Sequence, residues 1–297
     1  MKNFIVRAIT GILFVAAVVA SFLRPEAMVL LFAFITGLTI WEFGGLVNQR
    51  EGVAINRFIT TVAGVYFFLA MTFFCSDVYG GMAKSVVFIP YLVTVIYLIV
   101  AELYLKQTDP INDWAYTMFS QMYIALPFSL LNVLAFNATP EGIVMFNPIL
   151  PLSVFVFLWM NDTGAYCVGS LLGRHKLFPR VSPGKSWEGS IGGCVVVLAV
   201  AWVIANYVDN GQLLGMTSML ATWEWLGLGL VVVVFGTWGD LVESLFKRTM
   251  GIKDSGNILP GHGGMLDRFD SSRLAIPVPL TLAASAIVSR MVSTYFS

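Results

Sequence analysis

An all-α polytopic integral membrane protein is the fold class this sequence predicts, on three observations. The 297 residues are 58% hydrophobic and only 11% charged, where a soluble domain carries roughly 25% charged residues. Apolar runs recur along the whole chain, each near the roughly 20 residues that a spanning helix needs. The formal net charge of +0 hides a one-sided placement of Lys and Arg between those runs. The three cysteines, Cys75, Cys167 and Cys194, are scattered through apolar runs. They form neither a metal-binding spacing nor a disulfide framework, so packing is their expected role.

About nine transmembrane helices are expected, at Phe4–Leu23, Ala27–Val47, Phe58–Cys75, Ser85–Leu105, Trp114–Phe136, Pro148–Leu172, Ser190–Val208, Trp223–Phe246 and Leu274–Phe296. The first lacks a small-x-small cleavage site before Arg24-Pro25 and is expected to be retained. No linker is long enough to separate soluble domains. Residues 1–297 are therefore read as one membrane-embedded unit, with 1–146 a helical scaffold and 147–297 the catalytic half.

Orientation follows from the loop cations. Arg50, Arg57, Lys106, Arg174, Lys176, Arg180, Lys185, Lys247, Arg248, Lys253, Arg268 and Arg273 follow even-numbered spans, and only Arg24 and Lys84 follow odd-numbered ones. The even loops and the N-terminus are expected in the cytoplasm, and the C-terminus outside.

The first half is short of chemistry. Glu42 and Glu102 lie near span ends and are read as solvated or structurally paired carboxylates. The sixth span differs, because Asn161-Asp162-Thr163-Gly164 interrupts it. A carboxylate inside a membrane segment is costly and usually faces protein or water, so Asp162 is a candidate ligand for substrate or metal.

The loop after that span reads GRHKLFPRVSPGKSWEGS, Gly173 to Ser190. Gly184-Lys185-Ser186 suggests the end of a P-loop, but Pro179 stands where the pattern needs a glycine. The P-loop reading fails. A phosphate site remains open through Lys185, Ser186 and the amides at the start of the next helix, with Ser182 or Ser186 as its cap. A basic loop that only sets topology explains Arg174, Lys176 and Arg180 but not the SPGKSWEG stretch.

The eighth span runs out into GDLVESLFKRTMGIKDSGNILPGHGGMLDRFD, Gly239 to Asp270. Asp240, Glu243, Ser244 and Lys247 recur at i, i+3, i+4 and i+7, which places them on one helical face. Pro260-Gly-His262-Gly263-Gly264 is too glycine-rich for a helix and suits backbone that closes around a ligand.

Ser244-x-x-Lys247-Arg248, Lys253-Asp254, His262-Gly263-Gly264 and Asp267-Arg268-x-Asp270 together resemble the signature of the phosphatidate cytidylyltransferases, or CDP-diacylglycerol synthases. Ser182-Pro-Gly-Lys-Ser-Trp-Glu-Gly189 is similar to a second stretch of that family, with Ser186 where Thr is frequent. Asp162-Thr-Gly-Ala-Tyr166 resembles a third, although Gly169-Ser170 replaces a more basic pair.

The resemblance implies that CTP and phosphatidic acid react in the bilayer to give CDP-diacylglycerol and pyrophosphate, with Mg²⁺ as cofactor. It implies Asp240 and Asp267 as metal ligands, with Glu243, Ser244 and Ser186 as further candidates. Lys185, Lys247, Arg248 and Arg268 would hold phosphates. Asp162, Ser182, Lys253, His262, Gly263, Gly264 and Asp270 would line the substrate site. A bacterial inner membrane with a cytoplasmic active site is the implied setting. No nucleic-acid partner is expected, and a homodimer is entertained without any residue that fixes it. Two rival readings are a CTP-dependent polyprenol phosphotransferase and an ion or proton transporter relaying through Asp162, Asp240 and Glu243.

Overall fold

The structure is a computed structural model, and it describes residues 2–76, 84–138, 143–208, 220–256, 258 and 263–279. Helix dominates. In the first unit, residues 1–148 and 246–269, the order is α1 (Lys2–Ser21), α2 (Pro25–Val47), α3 (Arg57–Ser76), α4 (Ile89–Leu105), α5 (Pro110–Ser120) and α6 (Leu126–Ala135). A π-helical turn, Gln121–Ala125, joins the last two into one rod. A short hairpin, β1 (Phe136–Ala138) with β2 (Val144–Phe146), follows.

The second unit takes residues 149–245 and 270–297. It holds α7 (Ile149–Leu172), the hairpin β3 (Lys176–Phe178) and β4 (Ser182–Ser186), α8 (Trp187–Val203) and most of α9 (Thr222–Thr249). The turns α10 (Met265–Arg268) and α11 (Ser272–Ala275) fall in the first and second unit respectively. The segment from Phe246 to Phe269, read from sequence as part of a C-terminal half, therefore clusters with the N-terminal helices.

Six helical stretches among the described residues are long and apolar enough to cross a membrane: Pro25–Val47, Arg57–Ser76, Lys84–Leu105, Pro110–Ala135, Trp187–Val208 and Thr222–Thr249. Ile9–Ser21 adds a shorter apolar helix, and α7 occupies the sixth expected span with 24 residues. The ninth expected span lies almost wholly outside the described residues. Helix α4 carries exposed Leu92, Val93, Ile96, Tyr97, Ile99, Val100 and Leu103 on nearly all sides. Such a surface is costly in water and suited to hydrocarbon.

Helix α2 is the core of the first unit. Met28, Phe32, Ile35, Ile40, Phe43 and Val47 are all at most 2% exposed. Its buried Thr36 and Thr39 hydroxyls donate back to the carbonyls of Phe32 and Ile35, so neither hydroxyl is left unbonded in the apolar interior. Phe269, just past α10, meets Phe14, Phe32 and Phe128 edge-on at 5.2–6.3 Å. Phe246 stacks on Phe43 at 5.4 Å. These aromatic contacts hold both ends of the 246–269 segment to the N-terminal helices, each adding about 0.5–1.5 kcal/mol beyond area burial.

In the second unit α7 and α8 pack closely through small residues. A Cβ on Gly193 would meet Asn161 Oδ1 at 2.5 Å, and one on Gly164 would meet Gly193 Cα at 3.0 Å. Membrane helices lack a strong hydrophobic drive toward each other, so such small-residue seams allow the close contact that replaces it.

Candidate active site

The second unit builds its polar site from a hairpin and a helix end. Strands β3 and β4 pair antiparallel, with Lys176 opposite Ser186. The stretch read from sequence as a loop is thus extended, and it stops where Ser186 caps α8. The Ser186 Oγ accepts from Gly189 N at 3.2 Å, a bond that satisfies one orphan amide of the helix start. Of the two serines expected as cap, Ser186 does it, while Ser182 begins β4.

Glu188 fastens the hairpin from the other side. Its carboxylate accepts from Arg174 N and His175 N at 3.2 Å and contacts His175 Nδ1 at 2.6 Å.

That frame points Lys185 at α9. Its Nζ lies 2.6 Å from Asp240 Oδ2, with both side chains one-quarter exposed. The Ser244 hydroxyl donates to Asp240 Oδ1 at 3.1 Å, one turn further along α9. Lys185, Asp240 and Ser244 are therefore brought together; the i, i+4 spacing placed Asp240 and Ser244 on one face, while the meeting with Lys185 comes from the fold. Gly239 permits the backbone to come this near its neighbour, since a Cβ there would stand 2.8 Å from Asp270 O.

Glu243 departs from expectation. It is 0% exposed, and its carboxylate is committed to the equally buried Arg273 guanidinium. A buried guanidinium requires an anion beside it, so Glu243 serves the interior rather than a metal. Arg273, counted from sequence as a loop charge, lies in the core of its unit for the same reason. Asp162 is exposed on α7, next to buried Asn161. Asp270 accepts from Ser271 N at 2.6 Å.

The first unit builds a second polar centre around Asp267. Lys247 Nζ donates to Asp267 Oδ1 at 2.7 Å. The other carboxylate oxygen accepts from Ser255 N at 2.7 Å, Ser255 Oγ at 2.9 Å and Gly264 N at 2.9 Å. The last of these is the reciprocal half of a helix-start capping box. Burial acts to raise the Asp267 pKa, but the bonds from Lys247, Gly264 and Ser255, with the charge of Lys247, outweigh it. The carboxyl is held below the usual range and stays ionised at neutral pH. Gly263 turns the chain into this arrangement with φ +81, a conformation that suits glycine.

Arg248, Lys253 and Arg268 are exposed at the rim of this segment. His262 lies outside the described residues. Glu42, read from sequence as a solvated or paired carboxylate, is 8% exposed and bonded into the same centre through Ser255 and Leu266. Ser255 carried no sequence signal at all.

Each centre is thus a carboxylate with a lysine against it. Carboxylate and hydroxyl oxygens are the hard ligands that Mg²⁺ takes, and Mg²⁺ commonly uses only one or two protein carboxylates beside water and phosphate. Asp240 with Ser244, and Asp267, fit that ligand chemistry. Among the described residues no group of three or more His, Cys, Asp or Glu side chains is gathered in one place.

The fold and these centres define a mostly helical integral membrane protein that sets lysine against carboxylate in each of its two units. The sequence model of the cytidylyltransferase family matches residues 5–286. A phosphatidate cytidylyltransferase of Staphylococcus aureus (strain COL) is 31% identical over 92% of this chain and 96% of its own length. That of Staphylococcus haemolyticus is 32% identical over the same shares. One from Staphylococcus saprophyticus is 41% identical over 56% of this chain and 57% of its own length. The chain belongs to the cytidylyltransferase family and is an enzyme, a nucleotidyltransferase.

Proposed function

We propose that the protein transfers the cytidylyl group of CTP to phosphatidic acid, giving CDP-diacylglycerol and pyrophosphate. A phosphate oxygen of the lipid attacks the α-phosphorus of CTP. The bond from that phosphorus to the bridging oxygen of the β-phosphate breaks, and the electron pair leaves with pyrophosphate. The observation that supports this most is Lys185 held against Asp240 at 2.6 Å by a hairpin and a capped helix. An ammonium fixed in that way is a ready phosphate ligand, and it needs only to exchange its carboxylate partner for substrate.

Lys247, Arg248 and Arg268 are the further phosphate ligands. Asp162, Ser182, Lys253, His262, Gly263, Gly264 and Asp270 are assigned to the substrates by resemblance. No nucleophilic side chain is required. Asp240 and Asp267 are the proposed Mg²⁺ ligands, each offering carboxylate oxygens. Bound Mg²⁺ supplies charge neutralisation for the triphosphate and the leaving group.

The purified protein should consume CTP only when phosphatidic acid is present and release pyrophosphate. Release of CDP would reassign it to phosphotransfer, and nucleotide-independent ion flux in proteoliposomes would make it a transporter.

The site is proposed to face the cytoplasm of a bacterial inner membrane, on the Lys and Arg distribution. Single cysteines placed near Pro183 and near Gly256, on neighbours other than that glycine, should resist an impermeant thiol reagent in intact cells and react after permeabilisation. Labelling of either from outside would reverse the orientation.

A further inference from the structure

We propose that Glu42 is a positioning residue for the reaction, a helix-borne carboxylate that orients Asp267 by holding both ends of the turn around it. The inference rests on the role given to Asp267 above. Glu42 sits in α2 between Ile40 and Phe43, each 1% exposed, so its backbone is held within the packed core of the unit. From there its side chain crosses into the 255–267 segment. Oε1 accepts from the Ser255 hydroxyl at 2.9 Å, and Oε2 accepts from Leu266 N at 2.9 Å. These donors adjoin Asp267 in two ways. Leu266 is its chain neighbour, and Ser255 is the residue that gives Asp267 Oδ2 both a backbone and a hydroxyl contact.

The surroundings are shaped for this carboxylate. A Cβ on Gly264 would stand 1.5 Å from Glu42 Oε1, and one on Gly256 would stand 2.1 Å from it. Any larger residue at either place would displace the acid. The two glycines are therefore required by Glu42 itself, whatever they do for substrate.

Ser255 is the shared element. Its hydroxyl has one hydrogen and lies 2.9 Å from both Glu42 Oε1 and Asp267 Oδ2, so it serves one carboxylate at a time. The orientation of Asp267 is thereby coupled to Glu42 without contact between the two acids. A tether that merely kept the loop folded would have no need of this shared hydroxyl.

The test uses the full-length protein in detergent. Glu42→Ala should lower kcat by about tenfold or more, the scale of losing charge-assisted bonds that hold a reacting group in place. Amide exchange across the 255–267 peptide should rise, with the remaining helices unchanged. Glu42→Gln keeps the shape, still accepts from Leu266 N and can donate to Ser255, so it should recover most of the loss. In an Asp267→Asn background, Glu42→Ala should cost at most about twofold more, because both act through one group. An equal cost in both backgrounds, or wild-type kcat with wild-type exchange in Glu42→Ala, would overturn the positioning role. If Glu42→Ala does not fold, Ser255→Ala removes the shared hydroxyl alone, and wild-type kcat there would overturn it equally. Full activity in Asp267→Asn alone would instead overturn the reading of Asp267.

Discussion

Asp267→Asn should cost at least about 100-fold in cytidylyl transfer, more than any other single change in the polar centres. The carboxylate accepts from four donors: Lys247 Nζ, Ser255 N, Ser255 Oγ and Gly264 N. An asparagine amide offers one oxygen and one NH₂ group. Whichever way it turns, the NH₂ faces donors, so either Lys247 or the Ser255–Gly264 set loses its acceptor. A charge-assisted bond contributes about 1.5–3 kcal/mol and a buried donor left unmade costs about 1–3 kcal/mol. The two together reach the expected loss.

Asp240→Asn should be nearly as damaging to activity but gentler on the fold. Asp240 is one-quarter exposed, and its contacts are Lys185 and Ser244, so water can replace what the amide cannot supply. Thermal midpoints in detergent should therefore fall for Asp267→Asn and stay near wild type for Asp240→Asn. Near-normal turnover in Asp267→Asn would remove it from the reaction.

The largest effect on stability is expected at Glu243 and Arg273. Both side chains are at most 1% exposed, and each is the other's counter-ion. Removing one partner of such a pair leaves an uncompensated buried charge, which costs about 3–5 kcal/mol. Glu243→Leu and Arg273→Leu should each lower thermal stability strongly, and the double substitution should recover a substantial part. That recovery separates a structural ion pair from a metal ligand, since a lost ligand would not be repaired by removing an arginine. Single substitutions as stable as wild type would show that the pair is not the interior brace described.

Much of this molecule was legible in its sequence because apolar length is a strong signal. Runs such as Pro25–Val47 and Thr222–Thr249 announce membrane helices whatever they pack against. Asp240 and Lys247 stood out as charges at the end of such a run, Lys185 through its loop before a helix start and Asp267 through the family resemblance, and the structure pairs Lys185 with Asp240 and Lys247 with Asp267. What the sequence concealed was partnership. Glu42 looked like a span-end carboxylate because its donors lie 213 and 224 residues away, beyond any local pattern. Arg273 looked like a loop charge because Asp270, Ser271 and Ser272 precede it, yet it is the buried partner of Glu243. The hairpin at Lys176–Ser186 was missed because Pro183, Gly184 and Lys185 give a strand no alternation to recognise.

The central claim is that the α-phosphorus of CTP becomes bonded to the lipid. CTP labelled at the α-phosphate, and separately at the γ-phosphate, can be incubated with the purified protein, phosphatidic acid and Mg²⁺, and the lipid extracted. The account predicts α-label in the lipid and γ-label released entirely as pyrophosphate. The γ-label in the lipid, with CDP left in solution, would contradict it.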